Sequence, residues 1–462
     1  MMNRREFIAM AAAASQAFAQ RSYANQPSSS PDLSALTLAE ASRRIHSGEV
    51  TSAELTRQLL DRIKIYNPKI NAYITIMHDE ALACAQQMDN EAKAGKFRGP
   101  LHGIPIALKD NIDTAGTRTT AGSAVFDDRV PEEDAEVVRR LKEAGAVLIG
   151  KTNMHEFAAG GSSASTYFGP VRNPWALDRT PAGSSGGSAA AVIADLAYGA
   201  LGTDKLDVAS VEHSKEDYVA AMRQPVSVIR LGIPRAPFFD LLDEETSKLV
   251  EEAIGVLCKM TASVSDCHLP ATAGFNALAL AGEREAYHIE LFRRNAQRYT
   301  LAVRQNMESA EKTLNDVASE PCSQKVVDYV NSNWRMILMR KSIDDAFRNF
   351  DLVALPTMRI LPRTIEDSLD REEDIKPKAP DLISNCTPFN IFGLPAISVP
   401  CGFSASGLPI GLMIAGPRFS EGKVLALAYA YEQATQWHLK RPVLSPQMTV
   451  PPIVRKSKEN KT

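Results

Sequence analysis

The chain has 462 residues, 44% of them hydrophobic and 23% charged, with a formal net charge of −3. That length suits one large soluble domain or two to three ordinary ones, and the balanced charge gives no footing for nucleic acid or an anionic membrane as partner. No apolar run reaches the ~18–20 residues that a bilayer span needs.

In chain order, residues 1–24 carry Arg4-Arg5, then Phe7, a short Ala-rich stretch and Ala17-Phe18-Ala19. Paired arginines before a weak apolar region and an A-x-A site read as a twin-arginine export signal, cleaved after Ala19 or Ala24. A plain disordered N-terminus is the alternative. The export reading predicts a periplasmic or otherwise extracytoplasmic protein. Residues 25–37 read as a polar linker, 38–442 as the folded domain and 443–462 as a polar tail. Helices are expected over Leu38–Gly48, over Ala53–Tyr66 and over Asp79–Lys96. Thr51 and Ser52 cap the second of these, with Glu54 in its first turn, and Pro68 ends it. Ile104–Leu108 reads as a buried strand, Asp134–Glu143 as helix, Ala146–Ile149 as strand and Ser188–Ala200 as helix. This alternation predicts an α/β fold with a mixed sheet covered by helices. Further strands are expected at Leu231–Pro234 and Asp351–Pro356, with helices at Glu244–Lys259, Phe275–Tyr299 and Lys312–Phe347, the last broken at Pro321. Pro362–Asp381 reads as a charged surface excursion. Ala396–Pro400 and Leu408–Ile414 pair as core strands, and Gly422–Gln436 is the last helix. The six cysteines form no CxxC pair and read as free thiols, several of them buried. The eight histidines contain no HExxH and no ligand-spaced cluster, so neither metal nor cofactor is expected.

The stretch Thr180–Ala191, TPAGSSGGSAAA, sets a Gly/Ser turn directly before a helix. Alone, it reads as a linker or a helix cap. It has company: HGIPIALKDNIDTAGTRTTAGS at His102–Ser123, GKTNMHEFAAGGSSASTYFGPVRNPW at Gly150–Trp175, and FGLPAISVPCGFSASGLPIGLMIAG at Phe392–Gly416. In this order the four motifs resemble the amidase signature family of serine hydrolases, over about Leu38 to Pro442. The resemblance implies the amidase-signature fold and a Lys/cis-Ser/Ser mechanism on the C–N bonds of carboxylic, non-peptide, linear amides. It implies Lys109, at the end of the strand pattern, as base and Ser184 as the relay on a cis peptide. Read from the residues alone, Lys109 is a strand-end lysine snorkelling to the surface and Ser184 a turn serine. Ser162 and Ser163 lie in a second Gly/Ser loop that in the family borders the active site, and Gly183 and Ser185 flank the relay. A plain turn is the other reading of Ser162-Ser163.

The attacking serine is missing. In the family the helix after the Gly-Ser loop runs into GTDxGGS. Here Gly202-Thr203-Asp204 is followed by Lys205-Leu206-Asp207-Val208, so Leu206 and Asp207 replace the two glycines and Val208 stands where the serine is expected. Val has no nucleophilic atom. The family's oxyanion hole comes from the same turn. The next segment resembles a much later part of the family, so an internal deletion joined at 204–207 is expected, with a sheet incomplete near 204–230. Ser210 and Ser214 lie nearby with no motif behind them. Asp110 and Asn111 are expected to orient loops, Asp195 to face solvent, and Cys386 to line the core or a pocket wall.

The resemblance thus implies an exported amide hydrolase with a small-molecule amide as partner, no nucleic acid and no stable membrane association after export; a homodimer is compatible with it. The alternatives are a catalytically dead, deletion-damaged relative and a subunit of the amidotransferase A type, which works with partner subunits on tRNA-linked substrates. The export signal argues against the last.

Overall fold

The computed structural model describes residues 32–202, 216–270, 278–318, 323–372 and 385–454. The export signal, the 204–207 junction with Val208, and Ser210 and Ser214 therefore lie outside the described residues.

The first half is built on helices α1 (Leu38–Ser47), α2 (Ser52–Ile70) and α3 (His78–Lys93). Thr51 and Glu54 form a reciprocal capping box at the start of α2. Its apolar stripe buries Leu55, Leu59, Leu60, Ile63, Tyr66 and Ile70. Pro68 does not end it, against expectation: the helix runs on to Ile70. Lys64 and Pro68 both sit on the exposed face, so the carbonyl that Pro68 leaves without a donor meets water, and buried Ile70 anchors the last turn. Asn71 then takes a left-handed conformation, φ 59°, and closes the helix on Asn67 O.

A four-stranded sheet follows, formed by β1 (Tyr73–Ile76), β2 (Pro105–Lys109), β3 (Val147–Thr152) and β4 (Gly199–Leu201), in the order β1-β3-β2-β4. The central strand β2 runs parallel to β3 and β4, while β1 is antiparallel to β3. Every residue of β2 and β3 is buried, which is why both read as continuous apolar runs. The register pairs Leu108 with Lys151 and Lys109 with Thr152. Side chains alternate along a strand, so the two lysines leave opposite faces of the sheet. Helix α4 (Glu136–Glu143) joins β2 to β3, and α5 (Gly186–Ile193) precedes β4. The helix expected to reach Ala200 stops seven residues earlier, at Ile193. Asp195, at φ 55°, turns the chain, and Leu196 N bonds Ala191 O at 2.8 Å. Asp195 is not solvent-facing as expected. Its side chain is 15% exposed and meets Arg62 at 3.8 Å and Arg441 at 3.4 Å.

The second half holds a five-stranded mixed sheet in the order β6-β5-β7-β9-β8. Its strands are β5 (Arg230–Ile233), β6 (Ser263–Asp266), β7 (Leu352–Pro356), β8 (Ala396–Phe403) and β9 (Pro409–Ala415). β5 is parallel to β6 and β7, and β9 is antiparallel to β7 and β8. Helices α6 (Glu244–Cys258), α7 (Leu278–Asn295), α8 (Leu301–Ala318), α9 (Ser323–Ala346), α10 (Ile365–Glu372), α11 (Cys386–Phe392) and α12 (Glu421–Thr435) complete the α/β fold. α10 lies inside the segment read as a surface excursion; Ile365 and Leu369 are buried, and they hold it against Ala164. Among the described residues no helix is long and apolar enough to cross a membrane.

Candidate active site

Lys109, the last residue of β2, is fully buried, and its Nζ donates to Ser184 Oγ at 2.7 Å. Ser184 follows a cis peptide bond from Gly183. Its carbonyl accepts from His155 N at 3.0 Å and from Ser163 Oγ at 3.2 Å. Ser163 Oγ accepts in turn from Gly186 N at 3.0 Å. The turn is thus pinned by its main chain while its hydroxyl faces the lysine. Gly187 N bonds Asn153 O at 3.0 Å and fixes the start of α5 against the end of β3. The Lys109–Ser184 pair is therefore set by the ends of β2 and β3 and the start of α5 rather than by free rotation of the lysine side chain.

The other expected residues fall on different sides of this pair. Gly183 is exposed and Ser185 half-buried, both next to Ser184. Ser163 is fully buried beneath the turn and serves its backbone. Ser162 points away and donates to the Glu372 carboxylate at the end of α10, which also accepts from Ser165 Oγ at 2.5 Å. Ser188 Oγ bridges Thr152 Oγ1 at 2.7 Å and Leu201 O at 2.9 Å, so β4 is drawn to the same place. A Cβ on Gly202 would stand 2.6 Å from Ser185 Oγ. Gly202 thus lies beside the Gly/Ser turn that carries Ser184. Asp110 orients a loop, as expected of it: Oδ2 accepts from Thr120 N at 2.9 Å, from Thr120 Oγ1 and from Gly122 N. Burial holds its carboxyl above the usual range.

Three neighbours lie within the Gly150–Trp175 motif, which gave them no role. His155 is buried, and burial pushes its imidazole below the ordinary value, with Glu372 opposing and Lys109 adding to the effect. Glu156 is buried and accepts from Ser123, from Thr300 N at 2.9 Å and from Thr300 Oγ1; burial raises its carboxyl. Lys151, on the far face of the sheet, donates to Ile112 O and, at 3.0 Å each, to Thr114 Oγ1 and Thr119 Oγ1. It knits the loop that leaves Lys109. Its signal in the sequence is the one that marked Lys109, a lysine at the end of an apolar strand.

Burial lowers Lys151 from 10.5 to about 8. Folding is disfavoured while the ammonium is charged in both states, and the penalty is relieved as pH rises from about 8 to 10.5, where only the unfolded chain holds the proton. The stability of the wild-type chain relative to Lys151→Met is expected to rise across that window by at most about 3 kcal/mol. Urea titrations of both proteins at several pH values check this; parallel curves would refute it.

The family model described as Amidase matches residues 54–206 and 205–425. The chain belongs to the amidase signature family. It falls in the amide-hydrolase class, and amidotransferase subunits of the A type are among its relatives. It is 33% identical over 482 residues to the A-type subunit of glutamyl-tRNA(Gln) amidotransferase from Geobacter sp. (strain M21), covering 88% of this chain and 98% of that one. The same protein of Moorella thermoacetica (strain ATCC 39073 / JCM 9320) is 33% identical over 486 residues, at the same coverage. Among solved structures, native peptide amidase from Stenotrophomonas maltophilia superposes with a TM-score of 0.71 at 27% identity, over 88% of this chain and 98% of that one. The two matched pieces of the amidase model overlap at 205–206, four residues past the end of β4. The first alignment is longer than the 462-residue chain, so some of its positions have no counterpart here.

Proposed function

We propose that this chain carries the base and relay of an amide hydrolase for linear, non-peptide carboxylic amides but lacks the attacking serine. The hydrogen bond of 2.7 Å from buried Lys109 Nζ to Ser184 Oγ carries the reading. A base and a hydroxyl within hydrogen-bond reach are what proton relay to a nucleophile requires. Gly183 and Ser185 flank the relay on the open side, and the Ser162 loop borders the substrate. Val208 stands at the nucleophile position and offers nothing to activate. The break between the two model matches at 205–206 supports an internal deletion there. Turnover of aryl and alkyl amides by the wild-type chain beside Lys109→Ala tests the proposal: no Lys109-dependent turnover is expected.

The names of the curated relatives favour a second reading, a subunit of the glutamyl-tRNA(Gln) amidotransferase A type. Arg4-Arg5 and the A-x-A sites weigh against it, because tRNA-linked chemistry belongs to the cytoplasm and these residues point to export. Export predicts extracytoplasmic protein beginning after Ala19 or Ala24, as read by mass spectrometry. Protein still carrying Met1 in that fraction, or export that survives Lys at both arginines, would count against it.

A further inference from the structure

We propose that Ser184 is itself an acyl acceptor in this chain, reactive toward activated aryl esters and phosphonyl fluorides but not toward amides. This rests on the reading of Lys109 as a base. Lys109 is fully buried, so no electrophile reaches its amine; Ser184, half-buried between exposed Gly183 and the start of α5, is the end of the pair that meets solvent. The separation of 2.7 Å lies within the reach at which a base activates a nucleophile. The hydroxyl is also held in place, since the Ser184 carbonyl is fixed by His155 N and Ser163 Oγ.

The same geometry sets the limit on the leaving group. The first amides of α5 are already engaged, Gly186 N by Ser163 Oγ and Gly187 N by Asn153 O, so neither is free to stabilise an oxyanion. Each such donor is worth ~10²–10³ in rate. An amide needs that help and a proton for its leaving amine; an aryl ester or a phosphonyl fluoride carries a leaving group good enough to do without. In the step, Ser184 Oγ bonds to the acyl carbon or to phosphorus while its proton passes to the uncharged Nζ of Lys109. The C–O(aryl) or P–F bond breaks. The phenolate or fluoride departs as the anion, leaving O-acyl or O-phosphonyl Ser184, and the proton stays on Nζ of Lys109 until it is lost to solvent.

The test treats the full-length chain with a fluorophosphonate probe and locates the adduct by peptide fragmentation. The expected result is an adduct on Ser184, not on Ser185 or Ser188. Lys109→Arg, which keeps the charge but cannot serve as base, should slow labelling by ~10²–10⁴-fold with an unchanged circular dichroism spectrum. If that variant does not fold, the site of the wild-type adduct decides, and an adduct on Ser185 or Ser188 overturns the proposal. So does an adduct on Ser162, Ser210 or Ser214, no adduct at all, or labelling undiminished in folded Lys109→Arg. Amide turnover by the same sample would sink the reading of a missing nucleophile, whereas no turnover and no Ser184 adduct would sink this inference alone.

Discussion

Gly187→Ala is expected to destabilise the chain by at least about 3 kcal/mol, a larger effect than most single overpacking changes produce. A Cβ there would stand 2.6 Å from Ala72 O and from Asn153 N, and closer still to Asn153 O. All three atoms are main chain, of Ala72 just before β1 and of Asn153 just after β3, and cannot swing aside as the tip of a flexible side chain could. The methyl must therefore push α5 off the sheet, breaking the Gly187 N to Asn153 O bond and carrying Ser184 away from Lys109. Gly255→Ala in α6 is the matched control: nothing lies within 4 Å of its added Cβ, and an alanine in mid-helix stabilises by ~0.5–1 kcal/mol. Thermal unfolding of the two variants checks the pair. Equal melting temperatures would mean that α5 does not pack on Asn153 as described.

The strands that position the site were legible because both faces of β2 and β3 are buried, and such strands leave continuous apolar runs. β1 and β6 left no such trace. β1 is four residues with only Tyr73 buried, and β6, Ser263–Asp266, is an edge strand whose side chains are mostly exposed. Each is held in its sheet by backbone pairing to partners distant in sequence, which side-chain patterning does not record. Pro68 misled for a related reason: its effect depends on whether the orphaned carbonyl faces water, and that depends on tertiary exposure. In the site, Lys109 and Ser184 could be linked through the motifs they resemble. The contact of Ser162 with Glu372, and that of Glu156 with Thr300, join segments with no shared motif, and only folding brings them together. Lys151 carried the same strand-end signal as Lys109. What separates them is the side of the sheet, fixed by the one-residue offset in register.

Amide turnover carries the largest effect. Loss of the nucleophile from a serine hydrolase costs ~10⁶-fold in kcat, and the remainder comes from binding and the oxyanion hole. Here the first amides of α5 are engaged, and on the proposed reading Leu206 and Asp207 stand in sequence where the family has two glycines. Little of that remainder should persist. Val208→Ser alone is expected to restore nothing, because a serine without the glycine turn is not presented to Ser184. The most direct measurement is the steady-state rate on a panel of aryl and alkyl amides for the wild-type chain and Lys109→Ala at equal concentration. The predicted result is two indistinguishable rates at the level of buffer; turnover by the wild-type chain that Lys109→Ala abolishes would contradict it.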